Sequence, residues 1–226
     1  MSRVSHPIER EIERPVEIEI GQARLHGDLV IPADARGTVI FAHGSGSSRF
    51  SRRNRMVAST LRRGGFATLL MDLLSEQEEL IDARTAELRF DIAMLATRVV
   101  AAIEWVLDDP QTGELPIGLF GASTGAAAAL VAAAEEPDEV HAIVSRGGRP
   151  DLAGDALPNV EAPTLLIVGG DDTQVLALNK EAMTRMTAPV RLEVIPGATH
   201  LFEEPGKLDR VAALAQEFYA EHLHES

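Results

Sequence analysis

Four short stretches of this chain carry the side chains that acyl chemistry needs. The first is Gly121-Ala122-Ser123-Thr124-Gly125. An apolar run, Ile117 to Phe120, precedes it and a small-residue stretch follows, which suits a sharp strand-to-helix turn. A side chain at either glycine would collide with the neighbouring strand and helix. The turn lifts the serine Oγ above the sheet edge, at the positive end of the next helix. The rival reading of Ser123 is a helix N-cap without chemistry. The second stretch, Gly169-Gly170-Asp171-Asp172, offers two carboxylates. One of them can orient a base while the other serves a turn or caps the next helix. The third, Pro196-Gly197-Ala198-Thr199-His200, offers an imidazole. Serine needs a base to be a nucleophile at neutral pH, and the base needs an orienting partner. The chain order of serine, acid and histidine is the one found where such a serine turn is catalytic. The fourth stretch is His43-Gly44-Ser45-Gly46-Ser47. Here a backbone amide can point back at the serine, so the amides of Ser45 and Thr124 are the expected oxyanion hole. His43 is expected to orient that loop rather than act as a second base, and is a candidate substrate contact beside Arg146 and Arg149.

The remaining candidates are weaker. Of seven histidines only His200 follows a late strand and precedes the final helix. His6, His222 and His224 lie near the termini, His26 falls in a hairpin, and His141 starts a strand at the wrong sheet edge. The His222 to Glu225 cluster sits at a frayed end with little preorganisation, so no metal is assigned. The Gly44 to Ser48 loop lacks the Gly-Lys-Ser/Thr ending of a phosphate cradle. Arg146 and Arg149 flank a Gly-Gly pair, and Arg49, Arg52 and Arg53 follow the first loop; all should border the pocket. They could recognise a substrate carboxylate or phosphate. The preferred reading is ion pairing with the many acidic residues, including the Glu76 to Asp82 loop.

These side chains need a scaffold, and the apolar pattern supplies one. Pro15 to Ile20 and Ala23 to Ile31 alternate apolar and polar residues, which reads as an antiparallel hairpin with one wet face. Thr38 to Ala42, Phe66 to Met71, Pro116 to Phe120, His141 to Ser145, Pro163 to Val168 and Val190 to Ile195 are nearly continuous apolar runs. Each reads as a strand buried on both faces, the mark of a parallel sheet. Helices are expected over Arg53 to Arg63, Ala86 to Asp108, Ser123 to Glu136, Thr173 to Met186 and Lys207 to His222. Strand and helix alternate, so the predicted class is α/β: a mostly parallel central sheet of about eight strands with helices on both faces. Each candidate residue then falls at the carboxyl edge of a different parallel strand, where open sheets keep their sites.

Composition narrows the function further. Lys and Arg total 21 against 35 Asp and Glu, a formal net charge of −14. That balance repels nucleic acid and anionic membranes, so neither is an expected partner. The absence of cysteine excludes disulfides, thiolate catalysis and iron–sulfur clusters. Met1 to Glu19 has no apolar h-region and the longest apolar run, Ala126 to Ala134, is too short to span a bilayer. A cytoplasmic protein of one domain over residues 1–226 is the expectation.

The His43-Gly44 loop, the Ser123 turn, the Gly169 to Val175 turn and the Gly197 to His200 turn together resemble the α/β-hydrolase superfamily, in its dienelactone-hydrolase-like branch. The likeness covers nearly the whole chain. In that family the acid turn reads Gly-x-x-Asp-x-x-Val, and Gly169, Asp172 and Val175 fit. The resemblance therefore implies Asp172 as the acid, with Asp171 the competitor. Dienelactone hydrolases use cysteine where this chain has Ser123, so the fold is implied and the dienelactone substrate is not. The implied activity is a serine hydrolase for carboxylic esters, lactones or thioesters, needing no cofactor. Acyl transfer or perhydrolysis on the same triad, and a binding protein without catalysis, are the alternatives. Only Arg146 to Ala162 separates two consecutive strands where many relatives insert a cap domain. No cap is expected, and the pocket should be open, shallow and roofed by loops.

Overall fold

The computed structural model describes residues 10–224. His6, Glu225 and the first residues searched for an h-region lie outside that range. Eight strands form one sheet: β1 (Ile12–Ile20), β2 (Ala23–Ile31), β3 (Thr38–Ala42), β4 (Ala67–Met71), β5 (Ile117–Ala122), β6 (Val140–Arg146), β7 (Thr164–Gly169) and β8 (Val190–Ile195). Their spatial order is β1-β2-β4-β3-β5-β6-β7-β8. β1 pairs antiparallel with β2, and β2 antiparallel with β4. The other neighbours are parallel.

Alternation along the central strands divides the core into two layers. Val39, Phe41 and Phe120 face one side with α1 (Arg52–Arg63) and α6 (Lys207–His222). Ile40, Ala42 and Leu119 face the other with α3 (Ile92–Asp108) and α4 (Thr124–Glu135). Successive strand side chains point to opposite faces, so continuous apolar runs are what a sheet covered on both sides requires. The α4 helix is apolar all round and buried along most of its length, as such helices must be. Its alanines let it lie close to β5 and carry the Ser123 turn. α5 (Thr173–Met183) follows β7.

Three expectations are corrected. Val190–Ile195 is an edge strand, with Arg191 and Val194 exposed and only Ile195 buried, so it is not covered on both faces. The segment beginning at Ala86 is not one helix: a 3₁₀ turn at Leu88–Phe90 precedes α3, whose N-cap is Asp91, bonded through its side chain to Met94 N–H. Glu76 to Asp82 is helical rather than a loop. It belongs to α2 (Glu76–Thr85), which has almost no apolar stripe and starts on a capping box. Ser75 Oγ accepts from Glu78 N–H while Glu78 Oε2 accepts from Ser75 N–H, satisfying two end donors at once.

Candidate active site

The turn at the end of β5 puts Ser123 at φ 50°, ψ −119°, a left-handed conformation rare for a residue with a side chain. Glycines make the turn sterically feasible. A Cβ on Gly121 would lie 2.3 Å from Ala126 Cα, and one on Gly125 would lie 2.3 Å from the Ala42 carbonyl oxygen on β3. Ser123 is the N-cap of α4, yet its side chain makes no capping hydrogen bond. The hydroxyl is half-buried and free for other work.

The other predicted residues arrive from loops at the same sheet edge. His200 Nδ1 donates to Asp172 Oδ2 at 2.7 Å, which leaves Nε2 as the ring's basic nitrogen. Asp172 N-caps α5 without using its side chain there. Asp171 is exposed, and its N–H donates to the Ala198 carbonyl. The two loops touch because position 169 is glycine: a Cβ there would lie 2.3 Å from the Ala198 oxygen. Thr199, through its N–H and hydroxyl, bonds Glu204 and steadies the turn before His200. Ser123 and His200 line one cavity of about 210 Å³. No hydrogen bond joins them here; such contacts often tighten only when substrate arrives.

The remaining candidates are placed as follows. Ser45 N–H donates to Thr124 Oγ1 at 2.9 Å, so this expected oxyanion donor is engaged in the free protein. His43 uses both ring nitrogens: Nε2 accepts from Leu73 N–H at 3.0 Å and Nδ1 donates to the Gly44 carbonyl at 2.9 Å. Burial pushes its pKa down, and the ring serves as a neutral tie between the loop after β3 and the end of β4. Arg149 donates from Nε and Nη2 to Asp151 at 2.9 and 2.7 Å and lines neither cavity described here. Arg49 pairs with Asp72, and Arg53 with Glu203. Arg146 differs from all of these. It lines the small cavity, has no carboxylate within ion-pair distance among the described residues, and reaches only Asn54 Oδ1, at 3.4 Å. Burial first, then the nearby Arg53, lowers its pKa to about 10.

The profile of the dienelactone hydrolase family matches residues 25–224. The chain belongs to the dienelactone hydrolase family. A dienelactone hydrolase of Anabaena variabilis, known from its crystal structure, is 56% identical, with a TM-score of 0.93 over 96% of this chain and 100% of that one. Est1E of Butyrivibrio proteoclasticus is 18% identical, with a TM-score of 0.77 over 92% of this chain and 98% of that one, a likeness of fold alone. A Mycobacterium tuberculosis protein named "Putative phosphoribosyl transferase" is 54% identical over 211 residues, which is 93% of this chain and 47% of that protein. The chain therefore spans about half the length of the curated relatives it matches.

A second, larger cavity in this dienelactone hydrolase family member escaped the sequence reading. It holds about 430 Å³ and shares Gly44, Ser45, Ser47 and Ser51 with the small one. One wall is α2, through Glu79, Asp82 and Ala83, so the roof is partly helical rather than made of loops alone. Burial, then the carboxylates of Asp72 and Asp82, hold the Glu79 carboxyl above its usual range. Asn54 was missed too, although a signal existed. It occupies the stripe that Val57, Ala58 and Leu61 continue, a polar residue where the helix turns its apolar face inward. Among the described residues no helix is long and apolar enough to cross a membrane, and no three His, Asp or Glu side chains are grouped to hold a metal ion.

Proposed function

We propose that this hydrolase cleaves carboxylic esters through an acyl-enzyme on Ser123. The observation that carries the reading is the conjunction at one cavity: a strained serine with an uncommitted hydroxyl, and a histidine already bonded to a carboxylate. Ser123 Oγ attacks the ester carbonyl while His200 Nε2 takes its proton. Asp172 fixes the tautomer and stabilises the imidazolium. The amides of Ser45 and Thr124 stabilise the tetrahedral oxyanion, the Thr124 hydroxyl releasing the Ser45 N–H as it forms. The carbon–oxygen bond to the alcohol breaks, and His200 returns the proton to that oxygen. Water, deprotonated by His200, then hydrolyses the acyl-enzyme and restores Ser123. The transferase in the name of the Mycobacterium relative belongs to a protein about twice as long, and we assign ester hydrolysis to the half this chain matches.

The test is a panel of ester, lactone and thioester substrates of graded acyl length, together with labelling by a fluorophosphonate. Ser123 should label, and Ser123→Ala and His200→Ala should each lower kcat by at least ~10⁴-fold. The double variant should lose little more than either alone, because the residues act as one unit. Folded protein that leaves Ser123 unlabelled and turns over no member of the panel would overturn the assignment.

A further inference from the structure

The small cavity contains a cation without a counter-ion. Arg146 ends β6 in register with Ala122, and its carbonyl accepts the Ser123 N–H at 3.3 Å. Its side chain therefore starts one residue's width from the nucleophile. It is 7% exposed, and its Nε is buried without a partner. The one hydrogen bond of its guanidinium is the long contact to Asn54, which is 2% exposed. The neighbour whose charge it feels is another cation, Arg53, whose own Nε is buried and unpartnered while its Nη1 reaches Glu203 at 2.9 Å. Buried charges are ordinarily paired, because leaving water without compensation is costly. Two guanidinium groups and an amide, with the one nearby carboxylate, Glu203, already committed to Arg53, describe a place built for an anion that the protein does not supply to Arg146.

Topology says which end of the substrate carries it. Across the sheet the order is β4, β3, β5, β6, β7, β8. The oxyanion donor Ser45 follows β3, on one side of Ser123. Arg146, Asp172 and His200 come from β6 and beyond, on the other. Both cavities reach Ser45, but the large one extends away from His200 and Arg146 and includes neither, whereas the small one includes both. The group that His200 protonates is the leaving oxygen. The acyl part then lies in the large cavity and the leaving alcohol in the small one.

Resting on the hydrolase reading, we propose that Arg146, with Asn54 and Arg53 beside it, binds an anionic group, carboxylate or phosphate, on the leaving alcohol of the substrate. A planar guanidinium offers paired donors to either group. A cavity of about 210 Å³ restricts the alcohol to a short one, such as a small hydroxy acid or a hydroxyalkyl phosphate.

The experiment compares acetyl esters of three short alcohols: a hydroxy acid, the amide of that acid, and a hydroxyalkyl phosphate. The readout is the ratio of kcat/KM for each anionic ester to that for the neutral amide, in the wild type, Arg146→Gln and Arg146→Lys. The wild type should favour an anionic ester, and Arg146→Gln should lower that ratio about 30-fold, the size of a charge-assisted hydrogen bond lost from a buried site. Arg146→Lys should recover part of it as a point charge. Which anionic ester leads distinguishes carboxylate from phosphate. A second measurement is independent of turnover: the free hydroxy acid or hydroxyalkyl phosphate should raise the Tm of the wild type and not of Arg146→Gln. If Arg146→Gln does not fold, the wild-type ratio, the lysine variant and the wild-type Tm still decide. A wild type indifferent to leaving-group charge, or a ratio unchanged by either substitution, would overturn the proposal while leaving the esterase intact. Loss of all ester turnover and labelling, with the Tm shift retained, would overturn the hydrolase reading and keep the anion site.

Discussion

Thr124 stands on both sides of the oxyanion question. Its backbone N–H follows Ser123, where the proposed mechanism needs an oxyanion donor, and its hydroxyl occupies the Ser45 N–H, the other expected donor. In the free protein this contact satisfies an amide that would otherwise be poorly paired, and such a bond contributes about 1 kcal/mol net. In the proposed reaction the same contact competes with the oxyanion. Thr124→Val keeps the side-chain shape and removes the acceptor, so the Ser45 N–H waits unpaired for the charge that develops on the carbonyl. We expect a loss of about 1 kcal/mol in stability and a kcat raised by up to about tenfold, a trade of stability for activity. Urea denaturation and ester turnover on one preparation measure both. A kcat lowered about 100-fold or more would instead make the hydroxyl itself a donor to the oxyanion.

Elements are held at this sheet edge by single side chains. His43 ties the loop after β3 to the end of β4 as a neutral ring, and burial holds its pKa below the ordinary 6.5. The unfolded chain binds a proton here before the folded chain does. The stability that the tie contributes is therefore complete above about pH 6.5 and falls as the pH drops below it. Urea midpoints from about pH 7.5 down to about pH 5.5 should fall less steeply in His43→Gln, which does not titrate, than in the wild type. Equal slopes would assign the acid loss to other groups. The elements themselves were unevenly legible. Ala23–Ile31, Thr38–Ala42, Val190–Ile195 and Lys207–His222 could be read to the residue, because runs and stripes of apolar side chains record what they pack on. The edge position of β8 was written in its Val-Arg-Leu-Glu alternation, which gives one dry face, and that signal was passed over. The α2 helix was lost because it has almost no apolar stripe; only Ser75 and Glu78, the capping box, announced it. The Ser123 turn and the contact of His200 with Asp172 were legible because the glycines that permit the close approaches sit beside them in sequence. The cavity walls were not, because Asn54 and Glu79 come from helices that only the folded chain brings to the two cavities.

At the scale of the whole molecule, two fields oppose each other. The chain carries a net charge of −14, yet the small cavity beside Ser123 holds Arg53 and Arg146 and no facing carboxylate other than Glu203, which pairs with Arg53. A substrate with an anionic leaving group is repelled at long range and attracted at short range. Salt acts unequally on the two. The Debye length shrinks from about 30 Å at 0.01 M to about 8 Å at 0.15 M, which removes most of the repulsion between the approaching anion and the surface carboxylates. The attraction inside the cavity acts over a few ångströms between partly desolvated groups and is screened much less. For the anionic ester, kcat/KM should therefore rise about two- to fivefold over this range relative to the neutral ester. Initial rates well below KM, at several salt concentrations and with both esters in parallel, read this directly, and the neutral ester corrects for any effect of salt on the chemistry. A ratio that falls with salt would mean that the arginine pair projects its field beyond the cavity mouth and steers anions inward. Charge reversal of a distant surface carboxylate would then leave the rate unchanged, whereas under the balance argued here it should raise the low-salt rate for the anionic ester alone.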